Sequence, residues 1–217
     1  MKYIIMCGGD YKIWSTPRQC IEINGEAVVA RTIRLLKECG IEDILISSNN
    51  PIFEQFGVPV LKFDNEWEVF PDEEKGWRSH GTWCNGFYLT SEPVCYLLGD
   101  VVFSKKAIQT IVGEEVEDVM FFASAPPFAE NYPKTYAEPF AFKVVNTQYF
   151  KQCIDTVKEI DRRGQFKRDP IAWELWQIIA QTPINTIDYT NYRIINDFTC
   201  DIDTEKDIEK FKSIIDC

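Results

Sequence analysis

The chain opens on a short apolar run, Tyr3-Ile4-Ile5-Met6, that passes at once into paired glycines, Gly8-Gly9. That order constrains the fold more than any other feature. A strand that exits into glycines lets backbone N–H groups meet a ligand with no side chain in the way. Beyond the glycines the sequence alternates as an α/β protein does. Ile21-Glu22-Ile23 reads as a very short strand, with Asn24-Gly25 as a tight turn after it. From Ala27 to Cys39, residues Val28, Val29, Thr32, Ile33, Leu35 and Leu36 recur at helical spacing, and Gly40 ends the run. Asp43 to Ser48 then reads as a strand and closes a βαβ unit with the first one.

The rest of the chain keeps the pattern. Val58 to Leu61 is a short strand, and residues 64–80, polar and irregular, read as a surface loop. Ser79 to Thr90 reads as a helix. Val94-Cys95-Tyr96-Leu97-Leu98 is a near-continuous apolar run suited to a central parallel strand. A helix over 104–112, strands over 118–123 and 140–145, helices over 147–160 and 170–181, a final strand and a helix from Thr204 complete the reading. No repeat, low-complexity tract or linker interrupts it. The expectation is one α/β domain across 1–217, with a mostly parallel central sheet and helices on both faces.

Composition narrows the function classes. A net charge of −11 argues against a nucleic-acid or anionic-membrane binder, since both select basic surfaces. No 18-residue apolar run exists to cross a membrane. The stretch before the glycines is too short for a signal peptide, so a cytoplasmic protein is expected. The eight cysteines form no Cys-x-x-Cys pair, and His80 is the single histidine. Free thiols are therefore expected, not a zinc site or a disulfide framework.

Three places carry chemistry. In the first, Cys7-Gly8-Gly9-Asp10 forms the cradle, and Lys12 and Arg18 stand where basic side chains can close on phosphates. In the second, Asp100 follows the apolar run of Leu97-Leu98-Gly99. The carboxyl edge of an open α/β sheet is where ligands bind, and a carboxylate there can hold Mg²⁺. It can equally cap the helix that starts near Ser104. The third is Cys200-Asp201-Ile202-Asp203-Thr204-Glu205, where alternation sends Asp201 and Asp203 to one face, and where Asp-Thr-Glu is also an ordinary helix start.

Taken together, these segments resemble nucleotidyltransferases that join an NTP to a small phosphorylated acceptor, such as sugar-phosphate nucleotidylyltransferases and methylerythritol-phosphate cytidylyltransferases. Gly8 and Gly9 match the family's loop glycines, and Lys12 or a neighbour takes the slot of its basic residue. Pro17-Arg18-Gln19 is similar to the family's Pro-Lys-Gln, with Arg18 in place of Lys, and Asp10 or Tyr11 stands where a second loop Gly or Ser is usual. The resemblance implies a GT-A-type fold, Lys12 and Arg18 as catalytic residues, and Asp100 with Asp203 as ligands of Mg²⁺. Arg78, Ser79 and Gly81 resemble the base- and ribose-binding helix of the cytidylyltransferases. That implies nucleotide contacts from Cys7, Gly8, Gly9, Asp10, Arg78, Ser79 and Gly81, with CTP favoured.

Partners expected on this basis are an NTP and a phosphorylated small molecule, with no nucleic acid and no membrane. A glycosyltransferase of GT-A type and a non-catalytic nucleotide-binding protein are the alternatives. Two further features stay open in the sequence. Asn49 and Asn50 can reach a base or form a plain turn before Pro51. The basic run from Arg162 to Arg168 can receive the acceptor's phosphate or be a solvated loop. Trp173, Trp176 and Phe166 read as core, and His80 as a surface residue at a helix start.

Overall fold

The computed structural model describes residues 1–8, 14–63, 68–70, 78–80, 82–125, 137–184, 189 and 191–215; the side chains of 68–70, 78–80 and 82 lie outside that description. β1 (Lys2–Met6) forms where the first apolar run predicts it. A hairpin comes next, β2 (Glu22–Ile23) and β3 (Glu26–Ala27). Its turn places Asn24 and Gly25 at φ of 51° and 81°, the left-handed pair that a tight hairpin needs. α1 (Val28–Glu38) buries Val28, Val29, Thr32, Ile33, Leu35 and Leu36 along one face. β4 (Ile44–Ser47), a 3₁₀ segment Pro51–Phe56 and β5 (Val60–Leu61) complete the first half.

The middle of the chain departs from expectation. Residues Ser79 to Thr90 are not one helix. β6 (Glu68–Phe70) pairs antiparallel with β7 (Arg78–His80), and α2 (Thr82–Asn85) is a single turn. Gly86 and Phe87 come directly after that turn: Phe87 packs edge-on against Tyr96 and Phe150, and a Cβ on Gly86 would lie 3.2 Å from the Met6 side chain. Tertiary packing thus replaces the second turn of the helix.

Next come β8 (Val94–Leu98), β9 (Val101–Val102), α3 (Lys105–Gly113), β10 (Val119–Ser124) and β11 (Pro139–Val144). They lead to α4 (Thr147–Arg162), α5 (Ala172–Ile179), β12 (Arg193–Ile195), β13 (Cys200–Asp201) and α6 (Glu205–Ile214). The main sheet has seven strands in the order β12-β10-β11-β8-β1-β4-β5. Only β11 runs against its neighbours, β10 and β8; the other pairings are parallel. The sheet is mixed, and mostly parallel as expected.

Alternation along β1 and β8 divides the core. Tyr3, Ile5, Cys95 and Leu97 face a layer with α1 and α3, while Ile4, Met6, Val94 and Tyr96 face Phe150, Trp173 and Trp176 of α4 and α5. Lys143 is buried on β11, and its Nζ donates to the carbonyls of Ile111, Val112 and Glu114, capping the end of α3. A third, smaller cluster joins Ile21, Ile23 and Val28 to Val102, Cys200, Ile202 and Phe211. That cluster fixes the segment after the glycine loop against the C-terminal segment, which decides the site. No helix among the described residues is long and apolar enough to cross a membrane.

Candidate functional site

The carboxyl ends of β1 and β8 meet at one close contact. The N–H of Gly99 donates to the Met6 carbonyl at 3.0 Å, and a Cβ on Gly99 would stand 2.5 Å from that oxygen and 2.7 Å from Cys7 Sγ. Glycine is required there by approach, not by an unusual backbone angle. The chain then turns, and β9 pairs antiparallel with β13, Val101 opposite Asp201. One step further along the ladder the Ile202 N–H donates to the Asp100 carbonyl at 3.1 Å. This register carries Asp203 toward Asp100 across a separation of 103 residues.

Arg18 stands between them. It lies in a 3₁₀ turn, Arg18–Cys20, and its side chain is only 5% exposed. Nη2 donates to Asp100 Oδ2 at 2.5 Å; Nη1 donates to Asp203 Oδ1 at 2.7 Å and to the Ile202 carbonyl at 2.6 Å. Among the described residues, two carboxylates thus share one guanidinium. Asp100 and Asp203 are 20% and 40% exposed, so the cluster opens to solvent on its acidic side.

Asp203 is held by the helix behind it. Asp207 is buried, and its Oδ2 accepts from the N–H groups of Asp203 and Thr204 at 3.2 and 2.7 Å and from the Thr204 hydroxyl at 2.9 Å. The run is a helix start that also supplies a carboxylate to the cluster: Asp207 caps α6, and Asp203 meets Arg18. Asp201 accepts from the Cys200 thiol at 3.4 Å.

Among the expected nucleotide contacts, Cys7 is buried; its N–H donates to Ser47 O at 2.9 Å, and its carbonyl accepts from the Ser48 hydroxyl at 2.9 Å. Burial pushes its thiol well above the usual range. Its backbone, not its sulfur, makes these contacts at the strand exit. A Cβ on Gly8 would lie 3.2 Å from Phe63 Cζ, so this glycine admits a ring against the strand exit. Arg78 and Ser79 are in β7, a strand and not the helix that the resemblance implied. Gly9, Asp10, Lys12 and Gly81 lie outside the described residues.

The residues left open by the sequence have these surroundings. The Asn49 amide donates to Phe63 O at 2.9 Å and accepts from Phe63 N at 3.1 Å, and Asn50 Oδ1 accepts from Ile52 N. Asn50 thus serves the turn, and Asn49 ties the end of β4 to the segment after β5. Arg162 and Arg163 pair with Glu159, and Arg168 pairs with buried Glu174 at 2.6 Å, so these cations are engaged by carboxylates of α4 and α5. Trp173, Trp176 and Phe166 are core. His80 is in β7, not at a helix start. No disulfide joins the seven described cysteines, and burial raises the thiols of Cys84 and Cys95 to about 12.

Sequence reasoning missed two contributors, Ser47 and Ser48, whose hydroxyls bind the carbonyls of Gly86 and Cys7. The signal was present: two polar residues ending a strand that is otherwise apolar. It also missed that Arg18 faces carboxylates. Nothing local could reveal that contact, because both partners arrive from distant segments.

No family model matches the sequence. Solved structures do match, over nearly their whole length. A structure from Bacillus anthracis, assigned as a glucose-1-phosphate thymidylyltransferase and solved with sucrose, has a TM-score of 0.57 at 13% identity, covering 98% of this chain and 94% of that one. The inositol-1-phosphate CTP transferase from T. maritima gives 0.56 at 13% identity over 100% and 98%. The 4-diphosphocytidyl-2C-methyl-D-erythritol synthase from Anaerococcus prevotii gives 0.57 at 14% identity over 98% and 96%. The chain has the fold of these sugar-phosphate nucleotidyltransferases.

Proposed function

We propose that this chain is a nucleotidyltransferase that joins an NTP to a small phosphorylated acceptor and releases pyrophosphate. One observation carries the reading: Arg18, Asp100 and Asp203 converge at the carboxyl edge of the sheet, beside the glycine exit of β1, in a fold shared end to end with enzymes of this kind. In the reaction, an oxygen of the acceptor's phosphate bonds to the α-phosphorus. The bond from that phosphorus to the oxygen bridging it to the β-phosphate breaks, and pyrophosphate leaves with both electrons. Little proton transfer is required, so positioning and charge neutralisation lower the barrier.

Arg18 supplies a fixed positive charge beside the glycine loop, and Lys12 is proposed to add a second from the loop itself. The donor set at Asp100 and Asp203 fits Mg²⁺. Both are hard oxygen ligands, partly exposed, and held at one edge. When bound, the ion would neutralise charge on the phosphates. Among the described residues no group of three or more His, Cys, Asp or Glu side chains is arranged to hold a metal alone. Phosphate oxygens and water would complete the coordination of an ion held by Asp100 and Asp203.

The test is a panel of four NTPs against phosphorylated acceptors, with Mg²⁺ and a pyrophosphate readout. CTP is the first nucleotide to try, and glucose 1-phosphate, inositol 1-phosphate and methylerythritol phosphate are the first acceptors. Acceptor-dependent pyrophosphate release from one NTP is the expected result. No release from any pair, or release of a nucleoside diphosphate from a sugar nucleotide instead, would contradict the reading.

A further inference from the structure

We propose that Arg18 is an internal counter-ion that reserves the Asp100–Asp203 pair until a metal-bound nucleotide arrives. The inference deepens the reading above and rests on it. Its physical basis is the state of the three charges. Arg18 is 5% exposed and spends both terminal nitrogens on the two carboxylates and on the Ile202 carbonyl. A free divalent cation that binds Asp100 and Asp203 competes with this guanidinium. It brings no anion in exchange, so a buried guanidinium gives up two charge-assisted hydrogen bonds, a costly change.

A metal-bound triphosphate removes that cost. It delivers a cation to the carboxylates and, in the same step, phosphate oxygens to the guanidinium. The two Asp–Arg pairs become Asp–metal and Arg–phosphate pairs, so each of the three side chains exchanges one charged partner for another. Arginine suits the exchange, because its planar fork binds carboxylate and phosphate with equal geometry. A lysine at this position has no fork with which to bridge both acids. The thin donor set has the same consequence: with no third ligating side chain beside them among the described residues, two acids already claimed by Arg18 make a weak site for the ion alone.

The proposal makes two effects of one substitution run in opposite directions. Mn²⁺ serves as the probe, read by its electron-paramagnetic-resonance signal, with or without a non-hydrolysable α,β-methylene NTP. In Arg18→Gln, Mn²⁺ alone is expected to bind about tenfold tighter or more than in the wild type, the scale of one lost charge-assisted competitor. The Mn²⁺–nucleotide complex is expected to bind about tenfold weaker or more, for the same reason. Asp100→Asn in the same background should remove the gain for the ion alone. Arg18→Lys is the second variant, should Gln at this buried position disturb the circular dichroism spectrum; it should move both affinities in the same directions by smaller factors. Unchanged or weaker binding of Mn²⁺ alone in a folded variant would overturn the counter-ion role. If the ion arm behaves as stated but the wild type binds no nucleotide, the nucleotide reading itself falls, and the exchange falls with it.

Discussion

Asp100→Ala is expected to remove turnover and to loosen the fold measurably. The carboxylate is both a proposed metal ligand and the partner of Arg18 Nη2 at 2.5 Å. Losing an electrostatic group aimed at transferring phosphate costs about a hundredfold to a thousandfold in rate. Removing one partner of a buried ion pair also strands the other charge. Here the partial exposure of Asp100 and the second carboxylate on Arg18 reduce that penalty to about 2 kcal/mol. For a chain of this size the melting temperature should fall by about 4–8 °C. Asp100→Asn should keep most of the shape and lose most of the turnover. Near-normal activity in either variant would show that Asp100 serves only the fold.

Gly99→Ala should be at least as damaging to stability, although it adds only one methyl group. Its Cβ would stand 2.5 Å from the Met6 carbonyl, 2.7 Å from Cys7 Sγ and 3.1 Å from Gln19 Cγ. The nearest atom is a backbone carbonyl, which cannot yield without moving its strand, so β1 and β8 must part where the glycine loop begins. Overpacking of this kind costs about 3 kcal/mol or more, or about 6–12 °C. Turnover should fall too, because the same contact sets Cys7, Asp100 and the Arg18 turn. Gly113→Ala is the control, at a helical position where a Cβ meets nothing within 4 Å. Equal melting temperatures for the two variants would refute the close-approach argument.

Much of this architecture is legible in the residues. The apolar runs at 3–6, 44–46 and 94–98 announce strands because each is buried on both faces, and the helical stripe from Val28 to Leu36 has a single face to hide. Asp100 stands out because a charge follows an apolar strand after a single glycine. The segment from Ser79 to Thr90 misleads for a physical reason. β7 pairs with β6 at its start, and Phe87 is drawn into a cluster with Tyr96, Phe142 and Phe150. Tertiary contacts override local preference there. The Arg18 bridge was illegible for a different reason: it exists only because the β9–β13 ladder and the Ile21–Ile202–Phe211 cluster bring residues 18, 100 and 203 together.

The central claim is that this site moves a nucleotidyl group, and two isotopic labels test it most directly. Once the panel identifies a reacting pair, the same NTP is supplied labelled with ³²P at the α or at the γ position. The account predicts α label in the acceptor-linked product and γ label in pyrophosphate. Appearance of γ label on the acceptor, or in free inorganic phosphate, would mean phosphoryl transfer or simple hydrolysis and would contradict it.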